Sequence, residues 1–396
     1  MTKITRFALT LTGCAVLAAC STTPVQTDSS SRAQQLAQQF IIVDTHIDVP
    51  YRLHKDWEDV TVATKRGEFD YPRARQGGLN APFMSIYIPA SYERTGGGYQ
   101  LANQLIDNME ALVGRAPDKF AMAYTTADVE QQFGSAKISL ALGMENGTPI
   151  EGKLENLQHF YNRGIRYITL AHSESNHIAD SSYDLRRRWN GLSPFGKELV
   201  EAMNNIGMMI DISHVSDAAF YQTVELSKVP VIASHSSLRS YTPGFERNMD
   251  DDMIRALAKN GGVVQINFGS SFVTQMANQY GAMRKAAAKQ AGVPDDDTFE
   301  IEFRKKHPYP FATLDTVLDH IDHVVKLVGI DYVGIGSDYD GVGDSLPIGL
   351  KDVASYPNLV EGLLKRGYSE ADIEKVLSGN LMRVWREVET YAAKQG

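Results

Sequence analysis

Imidazole and carboxylate side chains in this sequence come directly after short apolar runs. His46 and Asp48 follow one run two residues apart, so both side chains point to the same side if the run is a strand. Glu145 ends a second run, and His214 and His235 end two more. Nitrogen and carboxylate ligands without a thiolate suit zinc, with manganese, cobalt or iron as alternatives. We therefore expect these residues to be metal ligands.

Each of these residues also has an ordinary structural explanation. Asp48 could cap a helix beside a packed His46, and Glu145 could pair with a basic residue. A carboxylate at the end of an apolar strand is costly to bury unless it is paired or bound to metal. Four of the ten histidines, His172 among them, end predicted strands, which scattered placement would rarely produce. The combined pattern favours a metal site over separate structural roles.

The ligand set has the right size for two divalent ions, which we expect to be zinc. His46 and Asp48 would hold one ion, His214 and His235 the other, and Glu145 would bridge them. Two ions about 3.5–4 Å apart can share a water and lower its pKa from about 15.7 toward 7. The resulting hydroxide is a nucleophile at neutral pH, so no serine or cysteine nucleophile is required. No Gly-x-Ser-x-Gly motif occurs at a strand-to-helix turn of the sequence.

The elements that must position these side chains are alternating strands and helices. Short apolar runs separated by helical patterns indicate a parallel sheet covered on both faces. Eight such units favour an α/β fold of the (β/α)₈ TIM-barrel type, in which the strand ends converge on one face. An open doubly wound sheet is the alternative, although no Gly-x-Gly-x-x-Gly follows the first strand. The predicted strands are Phe40–Thr45, Phe83–Ile88, Ile138–Met144, Tyr167–Ala171, Met208–Ser213, Val231–Ser234, Gly262–Phe268 and Tyr332–Gly336.

Two segments exceed what the barrel needs, and we expect them to be long βα insertions. Residues 89–135 join the second predicted strand to the third, and residues 269–311 follow the seventh. The second insertion could be a lid over the strand ends or a plain surface excursion. His320 and His323 lie three apart in a predicted helix. We assign both to the helix surface, because no carboxylate at a strand end accompanies them.

The N-terminus has the features of a targeting segment. Lys3 and Arg6 precede an apolar stretch that is too short to span a bilayer, so residues 1–19 resemble a signal peptide. The stretch ends in Leu17-Ala18-Ala19-Cys20, which resembles a bacterial lipobox. In such segments the cysteine becomes the first mature residue and carries lipid, which predicts lipidation at Cys20. An ordinary secretory signal with an incidental cysteine is the alternative.

The residues after the lipobox predict a tether and then the folded domain. Residues 20–36 are rich in Ser, Thr and Gln and predict a flexible tether, and residues 37–396 predict the metal-dependent domain. Ser21 rather than aspartate follows the lipid site, which favours the outer membrane. We therefore expect a bacterial cell-envelope protein that is anchored to the membrane through its N-terminal lipid and faces the periplasm.

Charge and cysteine content argue against nucleic-acid binding and against a disulfide. The formal net charge of −9 over 396 residues disfavours nucleic acid as a partner, because nucleic-acid binding needs basic patches. Cys14 and Cys20 are the two cysteines of the sequence. Removal of the signal peptide would leave Cys20 alone, so we expect no intramolecular disulfide.

Taken together, these motifs make the sequence resemble the membrane (renal-type) dipeptidase family of zinc peptidases. The matching stretches appear in the family's order and span nearly the whole predicted domain. They are Val43-Asp44-Thr45-His46-Ile47-Asp48, Gly143-Met144-Glu145-Asn146-Gly147, Thr169-Leu170-Ala171-His172, Asp211-Ile212-Ser213-His214, Ala233-Ser234-His235-Ser236-Ser237, Arg247-Asn248 and Gly334-Ile335-Gly336-Ser337-Asp338-Tyr339-Asp340-Gly341.

The resemblance implies roles for residues beyond the metal ligands. His172 would contact the scissile carbonyl oxygen or its oxyanion, and Arg247 would hold the substrate's C-terminal carboxylate. Asp338 would engage the free amino group and help to move protons. The residues alone leave Arg239 as a competitor of Arg247, and Asp340 as a competitor of Asp338. The family match decides for Arg247 and Asp338.

The resemblance implies a metallodipeptidase, with a homodimer as a further expectation. A periplasmic location beside cell-wall peptides leads us to expect activity on L-Xaa-D-Xaa dipeptides. Two alternatives stay open. The same site could hydrolyse N-acyl amino acids, other amides or lactones, or the protein could be an envelope lipoprotein that binds peptides without turnover. The sequence departs from mammalian members in lacking their cysteines and in its longer 269–311 insertion.

Overall fold

The computed structural model describes residues 1–2 and 29–395. Within them the chain forms nine short strands, most of them buried along their whole length. The strands are β1 (Val43–Ile47), β2 (Ala81–Tyr87), β3 (Phe120–Met122), β4 (Ile138–Glu145), β5 (Ile165–Thr169), β6 (Met209–Asp211), β7 (Ile232–Ser236), β8 (Val263–Ile266) and β9 (Val333–Ile335).

Helices connect and surround these strands. The α-helices are α1 (Ser29–Gln39), α2 (Val49–Lys55), α3 (Tyr71–Gly77), α4 (Tyr92–Thr95), α5 (Gly98–Arg115), α6 (Thr126–Gln132), α7 (Leu154–Asn162), α8 (Pro194–Ile206), α9 (Asp217–Leu226), α10 (Asp251–Asn260), α11 (Ser270–Val273), α12 (Gln275–Ala291), α13 (Asp297–Lys306), α14 (Leu314–Val328), α15 (Tyr356–Lys365), α16 (Glu370–Glu374) and α17 (Asn380–Ala392). Short 3₁₀ segments occur at Thr148–Ile150, Arg239–Tyr241, Ile330–Tyr332 and Val353–Ser355, and a π-helical turn, Lys375–Gly379, precedes α17.

Eight of the strands form a parallel barrel, in the order β1, β2, β4, β5, β6, β7, β8, β9. Two backbone hydrogen bonds close the barrel between the end of β1 and the segment that follows β9. Asp338 N donates to His46 O at 3.0 Å, and Asp48 N donates to Tyr339 O at 2.9 Å. The predicted (β/α)₈ fold is therefore confirmed, and its closure lies among the predicted site residues.

Four helices around the barrel begin at a residue whose side chain caps the helix N-terminus, where the loop from the site face ends. A cap supplies an oxygen to a backbone N–H that has no partner within the helix, so it fixes where the chain turns back along the barrel. The cap residues of α8, α9, α10 and α14 each accept from the third residue of their helix. They are Ser193, Ser216, Asp250 and Thr313.

Both predicted insertions contain structure of their own. Residues 89–135 hold α4, α5 and α6 together with β3, a strand that the sequence did not predict. β3 has only three residues and pairs with β4 outside the barrel order, so it lacks the long apolar run that identified the other strands. Residues 269–311 hold α11, α12 and α13, and α11 brings Ser271 and Phe272 to the site face.

The N-terminal predictions lie mostly outside the described residues. Cys20, residues 3–19 of the predicted signal peptide and residues 20–28 of the predicted tether all fall there. The tether prediction is wrong at its far end, because residues 29–36 belong to α1. Ala33 and Leu36 are buried in that helix, which packs against α15. No helix within residues 1–2 and 29–395 is long and apolar enough to cross a membrane.

A tyrosine inside the barrel depends on a glycine in the neighbouring strand. Tyr167 of β5 is fully buried, and its ring lies over Gly143 of β4. A Cβ atom on Gly143 would lie 2.0 Å from Cζ of Tyr167, which is well inside van der Waals contact. Gly143 therefore provides the space that lets the Tyr167 hydroxyl reach the site end of β1.

We expect Gly143→Ala to destabilise the fold by about 1–3 kcal/mol, because overpacking in a dense core forces side chains out of their rotamers. Gly114→Ala is the matched control, since a Cβ there meets no atom within 4 Å and alanine suits the helix. Urea unfolding of both variants measures the difference. A Gly143→Ala protein as stable as Gly114→Ala would contradict this account of the barrel interior.

Candidate metal centre

The five predicted metal ligands come together at the carboxyl ends of the barrel strands. The carboxylate of Glu145, the last residue of β4, lies at their centre. Its Oε2 is 3.4 Å from His46 Nε2, and its Oε1 is 3.1 Å from His214 Nε2 and 3.4 Å from His235 Nε2. Asp48 Oδ2 lies 3.4 Å from His46 Nε2 on the other side. All five side chains are buried.

The structural alternatives for the two carboxylates do not match the geometry. Asp48 stands before the first residue of α2 but makes no side-chain capping hydrogen bond. The ion-pair partners of Glu145 among residues 29–395 are imidazoles and include no lysine or arginine. Both carboxylates are thus aimed at histidine nitrogens rather than at the partners that a purely structural role would need.

Buried hydroxyl groups fix which nitrogen of two histidines faces the centre. The Tyr167 hydroxyl donates to Thr45 O at 2.9 Å, so it accepts from His46 Nδ1, also at 2.9 Å. The Ser234 hydroxyl likewise donates to an aspartate at 2.6 Å and accepts from His235 Nδ1 at 2.7 Å. In the neutral imidazoles, Nε2 of both rings therefore carries a lone pair toward Glu145.

The Nε2 atoms of two of the histidines lie close together at the centre. His214 Nε2 and His235 Nε2 lie only 2.9 Å apart. Burial lowers the pKa of both rings well below the ordinary value, with the positive charge of neighbouring groups, Arg247 among them, adding to the effect. At most one N–H can donate between the two neutral rings, and a divalent cation beside them would be held by both Nε2 atoms. His46 Nε2 and Asp48 Oδ1 are also buried without a hydrogen-bond partner within residues 29–395.

The pKa shifts of His46 and Glu145 also indicate that the centre needs positive charge. Burial lowers the pKa of His46, but the negative potential of Tyr167, Asp48 and Glu145 outweighs it and holds the pKa well above its ordinary value. Burial raises the pKa of Glu145, but His172 and His46 hold it well below its usual range. A bound divalent cation would take the place of the proton on His46.

Three overlapping groups of side chains could therefore hold a metal ion. Within each group the ligand atoms all lie within 4.8 Å of one another. The donors are imidazole nitrogens and carboxylate oxygens, which suit zinc and similar first-row divalent ions. The groups are His46 with Glu145 and His235, Glu145 with His172 and His214, and His46 with Asp48 and Asp338.

The backbone at the centre is strained. Asn146, His214 and Asp338 have φ values of 78°, 70° and 63°, a region that residues other than glycine seldom adopt. Such strain persists where surrounding contacts over-determine the backbone, and it is frequent at functional sites. His214 and Asp338 each lie three residues after the end of their strand, so this backbone conformation occurs where the site residues are placed.

Two of the three predicted substrate-binding residues line an open cleft above the centre. The cleft has a volume of about 660 Å³. His172 Nε2 lies 3.3 Å from Glu145 Oε1, and its ring stacks on His214 at 4.2 Å between centroids. Asp338 accepts a hydrogen bond from Asn267 Nδ2 at 2.7 Å. Burial raises the pKa of Asp338 to about 7; His46 opposes the shift, while Asp48 and Glu145 add to it.

The third residue, Arg247, is buried beside the cleft rather than on its surface. Its side chain donates from Nη1 to Ser236 Oγ and from Nη2 to His235 O, both at 2.7 Å. Arg247 Nε has no hydrogen-bond partner, and the guanidinium pairs with no carboxylate within residues 29–395. Arg247 is therefore a buried cation adjoining the cleft, not the loop surface residue that its sequence position would allow.

The competing residues have partners of their own. Arg239 Nη1 donates to Asp217 Oδ2 at 2.8 Å. Asp340 accepts from Arg52 Nε at 2.8 Å and from the backbone N–H of Glu68 at 2.6 Å. Arg239 and Asp340 therefore have ion-pair partners, whereas no ion pair of Arg247 or Asp338 is found among residues 29–395.

The assignment of His320 to a helix surface is wrong. The residue is fully buried, because α14 packs that face against the loops after β7 and β8. Its Nδ1 accepts from Leu238 N at 3.2 Å and its Nε2 donates to Val273 O at 3.0 Å, which is a structural role. His323 is partly exposed and lies 2.8 Å from Asp251 Oδ1.

Sequence reasoning missed the aromatic residues of the cleft. Tyr51, Tyr87, Tyr183 and Phe272 line it together with the ionisable groups. Tyr87 ends β2, so its place among the strand ends could have identified it. Tyr51 lies three residues after Asp48 on α2. Tyr183 lies in the loop between β5 and α8, and Phe272 lies in the four-residue helix α11, both of which are without a periodic signal.

We expect Tyr167→Phe to weaken divalent-metal binding about 10–100-fold, because the variant loses the hydroxyl that orients His46. Tyr339→Phe is the control: this tyrosine is equally buried, but its hydroxyl has no hydrogen-bond partner within residues 29–395. Competition of each metal-free protein with a zinc-sensitive fluorescent chelator gives the affinities. Equal affinity in the two variants would mean that Tyr167 does not position the ligand.

Comparison with known proteins identifies the family. A family model described as "Membrane dipeptidase (Peptidase family M19)" matches residues 30–396. Dipeptidase 3 of Mus musculus is 34% identical over 378 residues, covering 93% of this chain and 69% of that protein. An uncharacterized dipeptidase of Schizosaccharomyces pombe is 30% identical over 376 residues, covering 90% of this chain and 83% of that protein.

Solved structures share the fold. The probable dipeptidase PvdM from Pseudomonas aeruginosa superposes with a TM-score of 0.81 at 26% identity, covering 92% of this chain and 99% of that one. A metallo peptidase from Rhodobacter sphaeroides, liganded with a phosphinate mimic of the dipeptide L-Ala-D-Ala, has a TM-score of 0.73 at 23% identity, covering 88% and 99%. The resemblance inferred from the sequence motifs is confirmed. This chain belongs to the membrane dipeptidase family, Peptidase family M19.

Proposed function

We propose that the protein is a metal-dependent dipeptidase that uses two divalent ions, zinc in the native state. The observation that carries the proposal is the position of the Glu145 carboxylate, within 3.1–3.4 Å of four imidazole nitrogens. Bound divalent ions supply Lewis acidity and a water that is activated at neutral pH. Two ions fit the ligand set because Glu145 can offer one oxygen to each side.

The substrate is held at its two charged ends. The Asp338 carboxylate binds the free amino group, and Asn267 keeps that carboxylate in place. Arg247 binds the terminal carboxylate, since a buried guanidinium without an acidic partner gains most from a carboxylate that arrives with the substrate. The two groups together favour substrates two residues long, about 7 Å when extended.

His172 acts between these two ends. Its Nε2 lies beside Glu145, and its ring is partly exposed to the cleft. In that position it can donate a hydrogen bond to the scissile carbonyl oxygen as negative charge develops there. Asp338 also lies close enough to the centre to receive and return a proton during cleavage. These two residues are our proposed catalytic groups.

We expect the zinc-loaded protein to hydrolyse unblocked dipeptides and to lose this activity with a chelator. Glu145→Gln should reduce kcat/KM at least 100-fold, because the amide has one oxygen and no negative charge to share between two ions. The measurement is a panel of dipeptides, N-acetyl amino acids, amino-acid amides and lactones, assayed with wild type and variant. Glu151→Gln, a change in an exposed residue outside the cleft, is the control.

The panel separates the alternatives. N-acetyl amino acids or lactones cleaved faster than dipeptides would indicate a different amidohydrolase, because those substrates lack the amino group that Asp338 binds. A zinc-loaded protein that is inert to every substrate would support a peptide-binding envelope protein. Matched pairs in the panel test stereochemistry: we propose that L-Ala-D-Ala is cleaved at least as fast as L-Ala-L-Ala. A large preference for L-Ala-L-Ala would contradict that part.

We also propose that the mature protein carries lipid at Cys20, lies at the periplasmic face of the outer membrane and forms a homodimer. The lipobox sequence supports the anchor, and Ser21 supports the outer membrane. With α1 beginning at Ser29, the proposed tether is residues 20–28. A tether of that length would keep the barrel close to the membrane surface.

A further inference from the structure

The loop between β5 and α8, residues 173–192, is fastened to the backbone of two site histidines. Ser181 Oγ donates to His172 O, and Ser182 N donates to His214 O at 2.8 Å. The side chain of Asp180 accepts from the backbone N–H groups of residues 188, 189 and 191, at 2.7–3.1 Å. The loop is thus held in one conformation at the rim of the metal centre.

This fastening places Tyr183 at the cleft. Its ring centroid lies 5.9 Å from that of His214 and 5.9 Å from that of Phe245, and the side chain lines the cleft. Burial raises the pKa of the Tyr183 hydroxyl, while the adjacent Arg247 guanidinium opposes that shift through a side-chain contact. The phenol therefore spans the space between the cleft and Arg247.

A second connection ties the same loop to the segment that carries Arg247. Arg187 of the loop forms an ion pair with Glu246, the residue before Arg247. Glu246 Oε1 also accepts from Asp217 N at 3.0 Å, which fixes its position at the start of α9. Tyr183 and Arg247 are therefore positioned by one connected set of contacts.

Arg247 itself has donors to spare. Of the five N–H groups of a guanidinium, two are used by Ser236 and by the His235 carbonyl. Tyr183 contacts the guanidinium, and the Phe272 ring lies 5.4 Å from it. Both rings line the cleft whereas Arg247 does not. A carboxylate that reaches Arg247 from the cleft therefore comes close to both rings, and the Tyr183 hydroxyl lies against the same guanidinium.

We propose that Tyr183 is a specificity-determining residue, whose hydroxyl donates to the substrate's terminal carboxylate alongside Arg247. This inference rests on the proposed dipeptidase function and adds a second donor at the carboxylate end. A hydroxyl can donate one hydrogen bond to a carboxylate oxygen while the guanidinium donates to the other oxygen.

The test is steady-state kinetics of zinc-loaded Tyr183→Phe on L-Ala-L-Ala and L-Ala-D-Ala. A hydrogen bond to a charged group is worth about tenfold or more in binding, so we expect KM to rise about tenfold. We expect kcat to stay within about twofold of wild type, because the hydroxyl makes the same contact in the ground and transition states. Tyr221→Phe, an exposed tyrosine on α9 outside the cleft, is the control.

Other results overturn the inference. An unchanged KM would show that the hydroxyl does not touch the substrate, and a lowered KM would show that it competes with the carboxylate for Arg247. A fall in kcat without a rise in KM would mean that Tyr183 acts by positioning His214. In all three cases a wild-type protein that cleaves dipeptides leaves the proposed function intact, whereas an inactive wild type counts against that function itself.

Discussion

The arrangement of the strand ends depends on one buried carboxylate, whose negative charge must be balanced by positive charge. Glu145 ends an apolar strand inside the barrel, where an isolated ionised carboxylate is strongly unfavourable. Its partners are four imidazoles, two of which bring their Nε2 atoms within 2.9 Å of each other. The described residues offer no lysine or arginine to neutralise it. Divalent cations meet this demand directly, and the strand ends are arranged as if to surround them.

A second layer of buried carboxylates arranges those strand ends. Asp44 Oδ1 accepts from the backbone N–H of His46 and from that of Ser337, both at 3.0 Å, which joins β1 to the segment after β9. Asp211 Oδ1 accepts from Ser213 N at 3.0 Å and from Ser234 N at 2.8 Å, which joins β6 to β7. In each case an aspartate a few residues before a proposed ligand histidine fixes the backbone from which that histidine projects.

Much of this arrangement could be predicted from the sequence because the barrel turns linear order into proximity. Once His46, Glu145, His214 and His235 are assigned to parallel strand ends, they must converge on one face. All eight predicted barrel strands exist, although their ends shift by a few residues. The site could be predicted because an apolar strand followed by an ionisable residue is unusual. Each further example placed another ionisable side chain on the same face of the barrel.

The remaining features depend on contacts that a linear pattern does not contain. The burial of His320 arises from the packing of α14 on two loops, and the extent of α1 arises from its contact with α15. β3 is too short to have a periodic signal. The position of Tyr183 follows from hydrogen bonds that its loop donates to backbone carbonyl oxygens. Every residue has such an oxygen, so the sequence does not identify these contacts. Long-range packing, rather than local preference, determines each of these.

Anomalous diffraction from crystals of the zinc-loaded protein, collected at the zinc absorption edge, tests the central claim most directly. The account predicts two anomalous peaks about 3.5–4 Å apart on either side of the Glu145 carboxylate, one beside His46 and Asp48 and one beside His214 and His235. A single peak that does not contact Glu145, or no peak among these side chains, would contradict it.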